Sequence, residues 1–194
     1  MVNTVNTVNT VNDAPRFDAG AAARIARDIF GRDAVATPLT SERDQNFLLT
    51  DAGAARRAEQ ALTHVLKIAS ASESRVVIEA QQAAMAHVAA RMPLCPQPVP
   101  TVTGETIATV NGDDGREHLV WAVTYLPGKP LGTVRHRSPA LLEDFGRAIA
   151  SLGCALEDFD HRPVIDVAPH MTCPSRSRST ARFLADTSFP VALL

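Results

Sequence analysis

The sequence predicts an α+β fold: a five-stranded antiparallel sheet with one crossing helix and an extra N-terminal helix, followed by a further helix. Three observations predict it. Five short segments have strand-like composition and are separated by turn-forming residues. An apolar pattern with helical spacing falls between the third and fourth of them. A longer helical pattern begins at Pro139, where a second lobe is expected to start.

The chain opens with a Val-Asn-Thr repeat, whose three-residue period fits neither a helix face nor strand alternation. We therefore expect a flexible tail over residues 1–15. The first helix is predicted from Asp18 to Phe30, with Asp18 as N-cap and Gly31 as the stop. Its apolar face is formed by Ala22, Ile25, Ala26 and Ile29.

Two strands and a polar turn come next, and a third strand follows the loop around Gly53. A glycine-containing loop at residues 111–115 separates two further strands, which favours an antiparallel hairpin. The five predicted strands are Ala34–Pro38, Phe47–Thr50, Leu62–Ala69, Thr106–Val110 and His118–Tyr125.

The crossing helix is predicted from Ser72, as its N-cap, to about Arg91, and Pro93 ends the pattern. Glu79 lies beside the apolar face of this helix. That face consists of Val77, Ala80, Ala84 and Val88. The prolines between positions 93 and 100 indicate an extended connector.

These elements divide the chain into predicted segments. Residues 16–126 form an N-terminal lobe, 127–138 a linker, and 139–160 the first helix of a C-terminal lobe. Residues 161–194 are rich in Pro, Ser and Arg and show no pattern of a packed element. We expect that segment to be a poorly ordered tail.

Composition excludes several classes of protein. A hydrophobic content of 45% can build a core, and a net charge of −2 disfavours nucleic-acid binding. The three cysteines are widely spaced and contain no Cys-x-x-Cys, which disfavours both a disulfide framework and a zinc cluster. No apolar run is long enough to span a membrane, and no signal peptide is indicated. We expect a cytoplasmic protein that binds no membrane.

Lys67 stands within the apolar strand segment Thr63–Ala69. Burying an ammonium there is costly unless a carboxylate or a phosphate partners it. Glu79 on the following helix is a candidate partner. Kinase-type ATP sites use such a pair, in which the strand lysine reaches the nucleotide phosphates and the glutamate orients it.

Five stretches together resemble the aminoglycoside phosphotransferase and choline-kinase-like superfamily. The resemblance is strongest to its hydroxylysine-kinase-like branch, which also occurs fused to class III aminotransferases. It covers roughly residues 20–161 of the chain. The stretches are Leu39–Leu49, Val65–Ile68, Ile78–Gln81, Tyr125–Leu131, and Leu141-Leu142 through Leu156–His161.

The resemblance implies a protein-kinase-like small lobe and ATP-dependent phosphate transfer to a small-molecule hydroxyl. Carried over position by position, Lys67 would contact the nucleotide phosphates and Glu79 would pair with Lys67. The turn containing Ser41, Arg43 and Asn46 would overlie the phosphates. A hinge would meet the adenine ring through its backbone, and it consists of Thr124, Tyr125 and Leu126.

The chain departs from the family after His161. No His-x-Asp followed by Asn occurs there, so we assign no catalytic residue and no metal ligand, although the family uses Mg²⁺. We therefore expect a truncated, inactive kinase with a weak or vestigial ATP site. Both a shifted reading frame and a dedicated short protein fit this pattern.

The sequence alone also allows other interpretations of these residues. Lys67 could instead extend from an edge strand to solvent, Glu79 could be a solvated helix residue, and the Ser41–Asn46 turn could be a plain β-turn. Gly128-Lys129 is not a phosphate-binding P-loop, because Val123 occupies the position of its first glycine. The alternative function is a non-catalytic binding or interaction module of pseudokinase type, which would dock on a partner, or self-associate, through the uncovered face of the lobe.

Overall fold

A computed structural model describes residues 14–53 and 63–160 of the 194-residue chain. The chain divides into two compact units. Of the described residues, the first comprises 14–53, 63–73 and 99–125, and the second comprises 74–98 and 126–160. The predicted tail at 161–194 lies outside the described residues, as does the tail at 1–15 except for Ala14 and Pro15.

The first unit contains helix α1 and an antiparallel sheet, which confirms the predicted α+β class. Strands β1, β2, β3 and β6 pair in that order, and β5 pairs with the other edge of β6. The helix and the strands of the sheet are α1 (Ala19–Phe30), β1 (Ala34–Leu39), β2 (Gln45–Asp51), β3 (Thr63–Ile68), β4 (Pro98–Val99), β5 (Ala108–Asn111) and β6 (Glu117–Thr124), and of β4 only Val99 belongs to the first unit.

The sheet has six strands rather than the predicted five, because the two-residue strand β4 also lies beside β6. Proline has no N–H to donate, so a proline-rich connector gives little sign of strand pairing. The five predicted strands are all present, and their boundaries differ from the prediction by one or two residues.

Helix α1 forms where the sequence predicts it. The Asp18 side chain accepts a hydrogen bond from the Ala21 amide at 2.6 Å, which satisfies a free N–H of the first turn. Gly31 ends the helix in the left-handed region, with φ of 63°. The helix packs on one face of the sheet, where the core contains Ile25, Phe30, Phe47, Leu66 and Val120.

The second unit contains α2 (Arg75–Ala89) and α3 (Pro139–Ala155). The N-cap of α2 is Ser74 rather than the predicted Ser72, because Ser70–Glu73 forms a turn in which the Glu73 amide donates to the Ser70 carbonyl at 2.9 Å. All four residues predicted to form the apolar face of α2 are buried. Ser138 caps α3 by accepting from the Leu141 amide at 3.2 Å.

A polar cluster joins α2 to the residues after α3. His87 Nε2 lies 3.0 Å from Asp158 Oδ1, and Arg91 Nη2 donates to Asp158 Oδ2 at 2.7 Å. The rings of His87 and Phe159 lie 5.2 Å apart.

No helix in the described part of the chain is long and apolar enough to cross a membrane.

Candidate functional site

Three side chains form a row across the centre of the sheet. In the antiparallel register, Asn46 on β2 lies opposite Lys67 on β3, and Lys67 lies opposite Trp121 on β6. Directly opposed residues project to the same face, with their Cβ atoms about 5 Å apart. This is the face opposite the α1 core, because Leu66 and Ile68, the neighbours of Lys67 in β3, belong to that core.

Lys67 is 2% exposed, so the interpretation that it extends from an edge strand to solvent is wrong. Desolvation lowers the pKa of its ammonium, and the Asp44 carboxylate acts in the opposite direction on that pKa. Its Nζ lies over the indole ring of Trp121, 5.1 Å from the ring centroid. The lysine is therefore a buried cation beside an aromatic face, a position suited to binding an anion.

Asn46 brings an unsatisfied acceptor to this row. Its Oδ1 is buried and has no hydrogen-bond partner among the residues that the structure describes. Leaving a buried acceptor unpaired costs about 1–3 kcal/mol, so such an atom is a candidate ligand contact. The predicted site residues Asn46 and Lys67 are thus brought together by strand pairing.

The turn between β1 and β2 is held by an internal hydrogen bond and by polar contacts to residues that follow β3. Ser41 Oγ donates to the Asp44 carbonyl, and the Ser70 amide donates to Asp44 Oδ1 at 3.1 Å. Arg43 Nη2 lies 3.8 Å from Glu73 Oε2, and the Arg43 side chain is 54% exposed. Ser41 and Arg43 are therefore exposed on an anchored turn, and their phosphate contacts stay a prediction.

The predicted hinge begins where β6 ends. Thr124 pairs with His64, and the Tyr125 amide donates to the Thr63 carbonyl at 3.0 Å. The Tyr125 N–H is therefore used within the first unit. Leu126 is half-buried and starts the second stretch of the other unit. Binding of adenine by this hinge stays a prediction.

His64 lies beside that hinge on the α1-facing side of the sheet. Burial, and to a smaller extent the Arg32 charge, lowers the pKa of its imidazole. A neutral imidazole is therefore favoured at the base of the hinge.

Glu79 lies on α2 in the second unit, with an exposed side chain. Its pairing with Lys67 stays a prediction.

Within residues 14–53 and 63–160, no group of three or more His, Cys, Asp and Glu side chains is arranged to hold a metal ion.

Sequence reasoning missed Trp121 and Asp44. Trp121 is the single tryptophan of the chain and shares a face of β6 with Val123, so its position three residues before Thr124, the first residue of the predicted hinge, was a usable signal. Asp44 belongs to the turn that precedes β2. Only the fold shows that its carboxylate accepts a hydrogen bond from the Ser70 amide and raises the pKa of Lys67 against the effect of burial.

Comparison with known proteins supplies the family. The model of the phosphotransferase enzyme family matches residues 35–188. Over 157 residues, the chain is 31% identical to hydroxylysine kinase of Mus musculus and 29% identical to that of Bos taurus. These alignments cover 76% of this chain and 40% of each relative, so the chain spans less than half the length of these relatives.

Two solved structures share the fold. An amicoumacin kinase, hAmiN, in complex with AMP-PNP, Ca²⁺ and Ami matches with a TM-score of 0.60 at 14% identity, over 75% of this chain and 42% of the other. A microcompartment-associated aminopropanol kinase matches with a TM-score of 0.54 at 18% identity, over 74% and 42% respectively. The predicted kinase-like fold is thereby confirmed. Together with the match to the family model, these findings show that the chain belongs to the phosphotransferase enzyme family.

Proposed function

We propose that this chain carries the nucleotide-binding part of an ATP-dependent small-molecule kinase that transfers phosphate to a hydroxyl group. One observation carries the proposal: the buried cation Lys67 lies opposite Asn46, whose buried Oδ1 lacks a partner among the described residues. A cation and an unsatisfied acceptor on one sheet face form a site for a ligand with both anionic oxygens and hydrogen-bond donors.

ATP fits that description, because its phosphates are anionic and its ribose and adenine carry donors. When bound, it would supply the phosphoryl group that is transferred. Lys67 would hold the phosphate oxygens as a buried point charge, with Glu79 as its partner. Asn46 would accept a hydrogen bond from the nucleotide.

The anchored turn and the hinge would complete the nucleotide site. Ser41 and Arg43 are exposed on the turn before β2, where a hydroxyl and a guanidinium could reach phosphate oxygens. At the hinge, the Tyr125 N–H is already used, so adenine would meet the backbone of Thr124, Tyr125 or Leu126 through other groups.

The acceptor we propose is an amino alcohol. Hydroxylysine and aminopropanol, which appear in the names of the similar kinases, both carry an amine and a hydroxyl. For this chain alone we propose weak nucleotide binding without phosphate transfer. Its sequence contains no His-x-Asp, and the described residues form no candidate metal site.

Calorimetric titration of the full chain with ATP, with and without Mg²⁺, tests nucleotide binding. We expect a dissociation constant from the upper micromolar to the millimolar range. Lys67→Met should abolish binding, because the buried cation is lost. Lys129→Met is the matched control, since the only other lysine of the sequence is exposed.

Absence of binding by the wild-type chain at 10 mM ATP would overturn the proposed function, as would equal binding by Lys67→Met. Phosphorylation of hydroxylysine by the wild-type chain would overturn the statement that it transfers no phosphate.

A second candidate function is a non-catalytic interaction module that self-associates. Helix α3 favours it, because Leu142 is 47% exposed and Ile149 is 49% exposed. An open groove of about 770 Å³ beside α3 is lined by residues that include Arg91, Leu94 and Cys154. Exposed apolar side chains promote association when they form a patch.

Sedimentation analysis distinguishes this candidate. A concentration-dependent dimer that is lost in Leu142→Ser/Ile149→Ser would support self-association. A monomer at all concentrations would contradict it.

A further inference from the structure

Trp121 and Lys67 form a buried pair within the first unit. They are opposite each other on β6 and β3, and each is 2% exposed. The Nζ of Lys67 lies 5.1 Å from the centroid of the indole ring, within the roughly 6 Å range of a cation–π interaction. Tryptophan provides the strongest of the aromatic faces for this interaction, and the attraction grows when the pair is desolvated.

The residues around Lys67 determine how strongly its charged form is disfavoured. Burial disfavours the ammonium form of Lys67 and lowers its pKa, and the Asp44 carboxylate opposes part of that change. The next opposed pair along the same face is Val65 and Val123, which is buried and apolar and offers the cation no stabilisation. An aromatic face favours the charged form electrostatically, which an aliphatic side chain of similar volume would not do.

The neighbours of Lys67 in the row also restrict the direction in which its side chain extends. A lysine side chain has four rotatable bonds and reaches many positions when it is free. With Asn46 on one side and the indole on the other, its stem is confined within the central row of the sheet.

We propose that Trp121 is a positioning residue: its indole face holds the Lys67 ammonium charged and in place to receive a polyphosphate anion. This role rests on the proposed function for its ligand. The contact with Lys67 exists without that ligand, so the two can be tested separately. Because Trp121 is the single tryptophan, its fluorescence reports directly on this site.

The first experiment uses the ligand-free protein. Lysine labelled with ¹³C at the ε position gives two signals, from Lys67 and Lys129. The ring current of the indole should shift the Lys67 ε-CH₂ protons upfield, while those of exposed Lys129 keep ordinary values. A Lys67 signal without an upfield shift would overturn the proposal whether or not the protein binds nucleotide.

The second experiment measures binding of ATP to variants by calorimetry. Trp121→Leu removes the aromatic face and should weaken binding about tenfold, whereas Trp121→Phe keeps one and should stay within about threefold of the wild type. Phe47→Leu is the matched control, because Phe47 is a buried aromatic of the α1-facing core. It should lower stability and leave the dissociation constant unchanged.

The outcomes separate the two proposals. If the wild type binds no ATP but Lys67 shows the ring-current shift, the proposed function fails and the positioning contact stands. If the wild type binds ATP and Trp121→Leu binds it equally well, the positioning role is wrong. If Trp121→Leu does not fold, the positioning role is still tested by Trp121→Phe and by the lysine signals of the wild type. A loss of ATP binding in Trp121→Phe as large as that in Lys67→Met would show that an aromatic ring at this position does not preserve binding, which would contradict the role.

Discussion

Asn46 on β2 lies directly opposite Lys67 on β3, and the buried Oδ1 of Asn46 has no hydrogen-bond partner among the described residues. A buried acceptor in this condition destabilises the ligand-free protein. Sites that bind ligands commonly retain such a cost, because the ligand relieves it.

Asn46→Leu should therefore stabilise the ligand-free protein and weaken nucleotide binding. We expect the free energy of unfolding to rise by about 1 kcal/mol, since an apolar side chain of similar size replaces one whose buried amide oxygen is unsatisfied. Urea denaturation measures the stability, and calorimetry measures the affinity for ATP. Asn111→Leu at the exposed end of β5 is the control and should change neither by much. A less stable Asn46→Leu with wild-type affinity would contradict this assignment.

Lys67→Met should change how stability depends on pH. Burial lowers the pKa of Lys67 from its ordinary 10.5, so near the lowered value the unfolded chain binds more protons than the folded one. The free energy of unfolding of the wild type should consequently rise as the pH is raised through that lowered pKa towards 10.5. Lys67→Met should lack this rise and be as stable as the wild type at pH 7, or more stable by about 1 kcal/mol.

Urea denaturation between pH 7 and pH 10.5 gives both curves, and Lys129→Met should follow the wild type. A marked loss of stability at pH 7 in Lys67→Met would show that partners of the ammonium outweigh its desolvation. In nucleotide binding, the wild-type affinity should fall as the pH rises through the lowered pKa of Lys67, because the neutral amine no longer attracts phosphate.

Local sequence signals predicted the elements well, because each depends on neighbouring residues. Asp18 and Gly31 define both ends of α1, and alternation together with turn residues defined the five longer strands. The N-cap of α2 was placed two residues early, because Ser72 and Ser74 have the same capping chemistry.

Which side chains lie next to Lys67 depends on the strand register, which local sequence patterns do not specify. Lys67 was recognised from its apolar surroundings, but its neighbours Asn46 and Trp121 are 21 residues before and 54 residues after it in the sequence. Shifting either strand by one residue would turn these side chains to the other face of the sheet. The role of Asp44 likewise follows from its contact with the Ser70 amide rather than from the turn sequence.

Gly31→Ala should destabilise the first unit. Gly31 ends α1 with φ of 63°, and an added Cβ would lie 3.2 Å from Val102 Cγ1. We expect a loss of about 1 kcal/mol, from the left-handed backbone and the close contact together. Thermal denaturation measures it, with Gly132→Ala as the control, since nothing lies within 4 Å of a Cβ there. Equal melting temperatures for the two variants would contradict the account of this helix end.

Asp158→Asn should reduce the sensitivity of the second unit to acid. The hydrogen bond with His87, and then the charge of Arg91, lowers the pKa of Asp158 below its ordinary 3.8. A carboxyl with a lowered pKa in the folded state stabilises it above about pH 3.8, and this contribution is lost as the pH falls through the lowered pKa. The effect should be small, because the Asp158 side chain is 64% exposed.

The measurement is urea denaturation at pH 7 and at pH 3, with Glu157→Gln as a neighbouring charge control. Asp158→Asn should be less stable than the wild type at pH 7, and the difference should shrink at pH 3. A difference that is the same at both pH values would show that the ionised carboxylate is not what stabilises this cluster.

Cys95 and Cys154 should differ in thiol reactivity. Burial raises the pKa of the Cys95 thiol to about 11, whereas Cys154 is exposed on α3. Because the thiolate is the reactive form, Cys95 should be almost inert to Ellman's reagent at pH 8 until the protein unfolds, and Cys154 should react at once.

Cys173 lies outside the described residues, so both variants are made in a Cys173→Ser background. In that background, Cys154→Ser leaves Cys95 alone and should show no rapid phase, while Cys95→Ala should keep it. A rapid phase in Cys154→Ser would mean that the segment around Cys95 opens readily, which its 5% exposure and its contact with the Met85 carbonyl argue against.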